Sequence, residues 1–337
     1  MTPNPFPAVL IGFLIAALGT WLMVRFAPQL HLVDLPNERS SHVMPTPRGG
    51  GLALVIAITI GALLLPGPLP LSIAPALWAA LPIALVGLID DRRGLSARVR
   101  LACHLLAALA CVLMLVRVAP LETHWPHAVL VAGSVIAIAW GTNLFNFMDG
   151  IDGIASMEAI FVAGAGALLL GADAPPVAAA LWVIVAACAG FLLWNWAPAR
   201  IFMGDVGSGF FGFLLAGIAV LTVLQGLMGL PVWLILWGTF IADTGVTLAR
   251  RMLRGERWWS AHRSHAYQNL SRGFASHAAS TLVYAAINLV VLAPLAWLAH
   301  VRTDHAWTIC GLTLLGLVIA AVLARAGATE MPAAGGQ

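Results

Sequence analysis

Apolar residues run along this chain in long blocks, and the polar and charged residues collect in the short stretches between them. Blocks of spanning or near-spanning length lie at about residues 8–27, 50–65, 72–89, 101–119, 128–144, 155–170, 177–194, 209–225, 230–249, 279–299 and 307–324. Wound as a helix, roughly 20 such residues cross the hydrocarbon core of a bilayer. The pattern predicts an all-α, polytopic integral membrane protein with about 11 transmembrane helices, several short and glycine-rich. A single transmembrane domain is expected over residues 1–325, followed by a disordered tail at 326–337 that is rich in small residues.

Composition agrees. Of 337 residues, 61% are hydrophobic and 9% charged, and the mean hydropathy of +0.94 excludes an ordinary soluble domain. The N-terminus has no basic stretch before its first apolar block, so a cleaved signal peptide is not expected. Cys103, Cys111, Cys188 and Cys310 all fall inside apolar blocks, which suits small core residues rather than disulfides or a thiolate metal site.

Charge matters through its distribution. Fourteen of the seventeen arginines fall in loops after odd-numbered blocks; Arg117 and Arg302 fall after even-numbered ones, and Arg325 follows the last. The positive-inside rule places the odd loops in the cytoplasm, the N-terminus outside and the C-terminus inside.

One stretch stands out among those loops, Asn143 to Gly153, where two amides and two carboxylates close an apolar block. Helical spacing of three puts Asn143, Asn146 and Asp149 on one stripe that Asp152 continues, and Gly150 and Gly153 loosen the chain behind it. Such acceptors beside glycines suit a divalent cation and a phosphate approaching the backbone.

Four further odd loops carry chemistry. The first holds Arg39, His42 and Arg48 as anion donors, with Pro45 and Pro47 extending the path and Gly49–Gly51 allowing close approach of a ligand or another helix. The second holds adjacent Asp90 and Asp91, costly at a helix end unless a cation, a base role or a salt-bridge cluster with Arg92 and Arg93 compensates them. The fourth holds Asp205 between glycines, with Gly207, Ser208 and Gly209 resembling a phosphate-cradling turn ahead of a helix. The fifth is the most basic, and its His262, Arg263 and His265 suit phosphate contacts better than zinc.

Taken together, Pro-Asn-x-Arg-Ser-Ser-His with Pro-Thr-Pro-Arg-Gly-Gly-Gly, Asp-Asp-Arg-Arg, Asn-x-x-Asn-x-x-Asp-Gly-x-Asp-Gly, Phe-Met-Gly-Asp-x-Gly-Ser and His-Arg-Ser-His resemble the polyprenyl-phosphate N-acetylhexosamine-1-phosphate transferase family. The resemblance runs from about Asp34 to Arg272, in order and in the odd loops. It implies catalytic cytoplasmic loops in a bacterial inner membrane protein. The reaction implied is transfer of a sugar 1-phosphate from a UDP-sugar to undecaprenyl phosphate, with Mg2+ (Mn2+ as the alternative) and release of UMP. The His-Arg-Ser-His form is similar to the O-antigen-initiating branch and departs from the His-His-His form of the peptidoglycan branch. By resemblance, Asp205 coordinates the metal with support from Asp149, and Asp90 and Asp91 serve acceptor activation. Asn143, Asn146, Asp152, Arg48, His262, Arg263 and His265 then hold substrate. Membrane lipids are expected around the protein, nucleic acid is not a partner, and a homodimer is compatible with the sequence.

Two rivals fare worse. A secondary transporter of an anion would place its charges near the bilayer midplane, where Asp243 is the residue that speaks for it. A CDP-alcohol phosphotransferase would carry Asp-Gly-x-x-Ala-Arg, whereas Ile151, Asp152 and Gly153 follow Asp149-Gly150 here.

Overall fold

The computed structural model describes residues 4–27, 29, 32–34, 45–66, 73–118, 126–171, 173–257, 260 and 262–328. All eleven apolar blocks are helical in it. They form α1 (Phe6–Phe26), α2 (Gly51–Leu63), α3 (Ala74–Arg93), α4 (Ala97–Val118), α5 (His127–Met148), α6 (Ile154–Leu170), α7 (Pro175–Asn195) and α8 (Asp205–Leu224). Beyond these come α9 (Leu230–Leu236), α10 (Gly238–Leu253), α11 (Ala266–Phe274), α12 (His277–Ile287), α13 (Ala293–Val301) and α14 (Ala306–Leu323).

The expected count of eleven spans needs correction. Among the described residues 8 helical stretches are long and apolar enough to cross a membrane, and the α9–α10 pair, bent by 76°, makes up to 9. The α2 and α6 helices, of 13 and 17 residues, are shorter apolar pieces. Composition could not show the bend, because both halves of the 230–249 block are apolar and only Trp237 leaves the helical path. Nor does the hydrophobic pattern contain α11, which lies inside the basic loop. The chain is a multi-pass membrane protein.

Helix α8 sits at the centre. It is apolar around its circumference and 89% of its spanning window is buried, against 22% for α1 and for the last span. It packs against α3 and α5, while α7 packs against α1 and α6. On the outer helices Leu106, Leu168 and Leu312 stay exposed, as bilayer-facing side chains should.

Close approach of α3, α2 and α8 depends on glycine. A Cβ on Gly87 would lie 2.3 Å from the carbonyl oxygen of Asp205, and one on Gly51 would lie 2.4 Å from the Cα of Gly207. Gly51 of the first loop and Gly207 of the fourth therefore serve helix packing. Gly207, Ser208 and Gly209 lie inside α8, with Ser208 buried, so the phosphate-cradling turn expected there is not present.

A two-residue antiparallel ladder, β1 (Val33–Asp34) against β2 (Thr46–Pro47), pairs Val33 with Pro47 and Asp34 with Thr46. From it the chain is stitched to the α7–α8 loop: the Phe202 amide donates to the Pro47 carbonyl (2.8 Å), Gly50 to Phe202 (3.0 Å) and Gly51 to Met203 (2.9 Å). This lays Arg48 beside the start of α8. At the other end, Ala326 is buried and the Gly327 amide donates to the Ser264 carbonyl (2.6 Å), so packed chain continues past the boundary expected at Arg325. Residues 329–337 of the expected tail lie outside the described residues.

Gly87→Ala should destabilise the protein by about 1–3 kcal/mol, because the new methyl group meets backbone that cannot yield. Gly316→Ala in α14, with nothing within 4 Å of the added Cβ, should be neutral or slightly stabilising. Thermal unfolding of the two variants in detergent checks the contrast.

Candidate active site

The last turn of α3 ends in Asp90 and Asp91, and the two carboxylates take different partners. Asp91, with no exposed side-chain surface, accepts from the Asp205 amide on Oδ1 (2.9 Å) and from the Val206 amide on Oδ2 (3.2 Å). These amides open α8 and have no partner within the helix, so the carboxylate caps its positive end. Arg48 Nη2 lies 2.7 Å from the same Oδ1 and 3.8 Å from Asp205 Oδ1. Burial works against the charge on Arg48, but Asp91 and Asp205 outweigh it and hold the guanidinium still more firmly protonated.

Asp90 turns toward α4. Its Oδ2 lies 2.6 Å from Arg100 Nη1 and its Oδ1 accepts from the Leu95 amide, while the same Arg100 nitrogen lies 3.1 Å from Asp205 Oδ2. Asp205 is thus flanked by Arg48 and Arg100. Arg92 and Arg93, the expected alternative partners of the Asp90–Asp91 pair, are exposed instead.

Helix α5 brings in the amides. Asn146 Nδ2 donates to Asp205 Oδ1 (2.8 Å) and to Ser208 Oγ (3.2 Å). One turn earlier, Asn143 Nδ2 donates to the Ala139 carbonyl (2.7 Å) and lies 3.3 Å from His104 Nδ1. The expected stripe holds for Asn143 and Asn146 only, because α5 stops at Met148 and Asp149 leaves the helix with φ −85° and ψ 57°. Half-buried Asp149 has its carboxyl pushed up to about 7 by burial and by the charge on Asp205, with Arg48 pulling the other way.

Asp152 does not continue the stripe. It faces a second group, accepting from the Ala199 amide (3.0 Å) and lying 3.2 Å from His277 Nδ1. With Arg263, Gln268, Arg272 and Pro198 it lines an open polar cavity of about 540 Å³.

The histidines of the fifth loop stand beside this second group. The rings of His262 and His265 stack at 4.9 Å, and those of His265 and Tyr267 at 5.5 Å. Burial, then the neighbouring His265 and Arg251, push His262 down to about 3, which leaves it a neutral imidazole. His265 turns to Asp243, 3.2 Å away. The structure therefore gathers Arg48, Asp90, Asp91, Asn146 and Asp205 in one cluster and Asp152 and Arg263 in another. Tyr267 joins them: its phenol donates to the Phe147 carbonyl (3.2 Å), next to Asp149. Arg39 and His42 lie outside the described residues.

The residues fit a hard divalent cation. Among the described residues no three His, Cys, Asp or Glu side chains form a ready-made metal cage. Magnesium, however, is usually held by one or two carboxylates, with phosphate oxygens and water completing its shell. Asp149 and Asp205 would be that kind of pair; the Asp149 carboxyl is raised by burial first and by the charge on Asp205 second, a charge that a cation would offset.

Arg100, His277, Arg272 and Tyr267 were not singled out from the sequence. A signal existed for Arg100: only three residues separate α3 from α4, a turn tight enough to fold Arg100 back onto Asp90. Glu158 of α6 is a further acidic side chain inside an apolar helix, buried and accepting from Asn288 Nδ2 (2.6 Å).

The raised Asp149 carboxyl has a cost in stability. Its folded value near 7 stands above the unfolded 3.8, so between those values the folded state keeps a proton that the unfolded chain releases. Stability from this group is full below the unfolded value and is lost as pH rises through 7. Asp149→Asn should therefore unfold at a higher temperature than the parent at pH 8 and at about the same temperature at pH 4, as thermal unfolding at the two pH values will show.

Comparison with known proteins places this geometry. Residues 73–223 match the family model described as glycosyl transferase family 4. A decaprenyl-phosphate N-acetylglucosaminephosphotransferase of Mycobacterium leprae is 30% identical over 330 residues, covering 83% of this chain and 80% of that protein. A probable undecaprenyl-phosphate N-acetylglucosaminyl 1-phosphate transferase of Bacillus subtilis is 28% identical over 295 residues, covering 84% and 82%. A phospho-N-acetylmuramoyl-pentapeptide-transferase of Moorella thermoacetica is 33% identical over 223 residues, covering 59% and 67%. With long matches on both sides and the motif residues gathered at one end of the helices, the chain belongs to glycosyl transferase family 4, among the polyprenyl-phosphate N-acetylhexosamine-1-phosphate transferases.

Proposed function

We propose that the protein transfers the 1-phosphate of an N-acetylhexosamine, or of a deoxy derivative, from a UDP-sugar to undecaprenyl phosphate. The products are a lipid-pyrophosphate-linked sugar and UMP, and the step starts O-antigen or another envelope glycan. In this reading the charged end faces the cytoplasm of a bacterial inner membrane, where the nucleotide sugar is made.

The observation that supports the reading is that α5 contributes to both an apolar groove and the charged cluster, on different faces. A cavity of about 350 Å³ runs between α5, α8 and the bent α9–α10 pair, lined by Ala137, Trp140, Gly141, Leu144, Ala216 and Trp237 among others. Its Gly141 and Leu144 alternate along α5 with Asn143 and Asn146 of the polar cluster. A substrate with a long hydrocarbon tail and a phosphate head needs both kinds of surface, and α5 helps to build each.

The chemistry joins two phosphates. An oxygen of the lipid phosphate forms a bond to the sugar-bearing phosphorus of the donor; the bond from that phosphorus to the bridging oxygen breaks, and its electron pair leaves on UMP. Bringing these anions together requires cationic donors at the new pyrophosphate, which Arg48 and Arg100 supply. Asp91, buried with both oxygens engaged, orients Arg48 and the start of α8. Asp90, held by Arg100, is the carboxylate beside the entering phosphate. Asp149 and Asp205 would hold Mg2+, which when bound neutralises the diphosphate charge and polarises the leaving oxygen. The second cavity, with Asp152 and Arg263, takes the rest of the donor.

Two variants test this. Ala137→Trp, which fills the groove from its exposed wall, should raise the KM for undecaprenyl phosphate on the order of tenfold or more and leave the KM for the UDP-sugar within about twofold. Equal change in both would place the lipid elsewhere. Asp205→Asn should abolish transfer while the protein remains folded in membranes; near-normal activity would remove Asp205 from the reaction.

A further inference from the structure

Asp243 and Glu158 are buried acids that this mechanism leaves unused, and Asp243 has the fuller set of partners. It lies in α10, 1% exposed, and its carboxylate is met from three elements. The Ala266 and Tyr267 amides, which open α11, donate at 2.8 and 3.0 Å. The Tyr284 phenol of α12 donates at 2.7 Å and the Thr247 hydroxyl of α10 at 3.2 Å. The fifth partner is His265 Nδ1, at 3.2 Å from Oδ1.

A carboxylate ringed by donors has only acceptor capacity to offer a histidine. Facing that carboxylate, Nδ1 is the nitrogen expected to carry the hydrogen, on a ring that is itself only 3% exposed. Orientation of a functional histidine through its second nitrogen is a recurrent device where the ring must meet an anion or a proton. Here it is reinforced on all sides. His265 is the N-cap of α11, its amide bonded to Gln268 Oε1 (3.3 Å), and its ring lies between those of His262 and Tyr267. Tyr267 in turn packs against the turn after α5: a Cβ on Gly150 would meet its phenol oxygen at 2.1 Å.

We propose that Asp243 is a positioning residue for the transfer reaction, holding His265 as the Nδ1–H tautomer and setting the His262–His265–Tyr267 stack against the Asp149–Gly150 turn. Asp243 would act on the reaction through His265, the histidine it holds. The inference rests on the transferase reading for its kinetic consequence, and on the hydrogen-bond geometry alone for its tautomer.

Nitrogen-15 NMR of the histidine-labelled protein in detergent, with the His265 signals assigned by their loss in His265→Gln, reads the tautomer with no need of activity. Nδ1–H at neutral pH is the expected result, and Nε2–H would overturn the proposal. The kinetic arm is a double-mutant cycle with radiolabelled UDP-N-acetylglucosamine. Asp243→Asn retains an acceptor for the α11 amides but presents an amide to His265, and should lower kcat by on the order of tenfold or more. In the His265→Gln background the same change should cost less than about twofold, because the partner through which it acts is gone. Equal costs in both backgrounds would make Asp243 a merely structural residue and overturn the proposal. If the parent protein releases no UMP from any UDP-sugar, the transferase reading fails while the tautomer result still decides the placement of His265.

Discussion

Three carboxylates at the mouth of an apolar helix bundle must be matched by positive charge, and the pairing of Asp91 with Arg48 and the first amides of α8 is the constraint that orders the rest. An unpaired carboxylate buried there would cost several kcal/mol. The pairing requires α3 and α8 to touch backbone to backbone, which Gly87 permits, and requires the first loop to reach the start of α8, which the bonds from Pro47, Gly50 and Gly51 to Phe202 and Met203 secure. Asp205 is then held between two arginines. The charged cluster is thus a product of helix packing as much as of loop composition.

The second cluster is joined to the first at one turn. Asp149 and Gly150 end α5, Tyr267 rests on them, and Asp152 beyond them faces His277 and the cavity of Arg263 and Arg272. A donor spanning both clusters would have its diphosphate near the Asp149 turn, where the carboxyl is held close to neutrality. The stability lost to this raised carboxyl is a usual cost of burying acidic groups close together at a site.

Much of this was legible in the sequence because membrane helices are written in their composition. Each apolar block became a helix, and the odd loops, marked by arginine, converge where the motif residues meet. What composition cannot express is shape inside an apolar block, so the bend at Trp237, which opens the groove, was invisible. Glycine function was ambiguous for a related reason: Gly51 and Gly207 permit either ligand or helix to come close, and the crossing of α2 and α8 decides for the helix. Periodicity carried too far in one place, since extending the α5 stripe to Asp152 ignored that the helix ends at Met148, ahead of Asp149 and Gly150. His277 sits at a helix start, and nothing in its local pattern sets it apart from solvated neighbours; Arg100 was marked only by the short turn between α3 and α4. Placing the donor histidine beside Asp243 needed the tertiary fold, as the two are 22 residues apart in the chain.

The most direct test of the central claim is UMP release by the purified protein in detergent, with a panel of UDP-N-acetyl sugars, measured with and without undecaprenyl phosphate and Mg2+. Release that needs both the lipid and the cation, with a lipid-linked sugar appearing in equal amount, is the result this account predicts. Absence of UMP with every sugar, or release indifferent to the lipid, would contradict it.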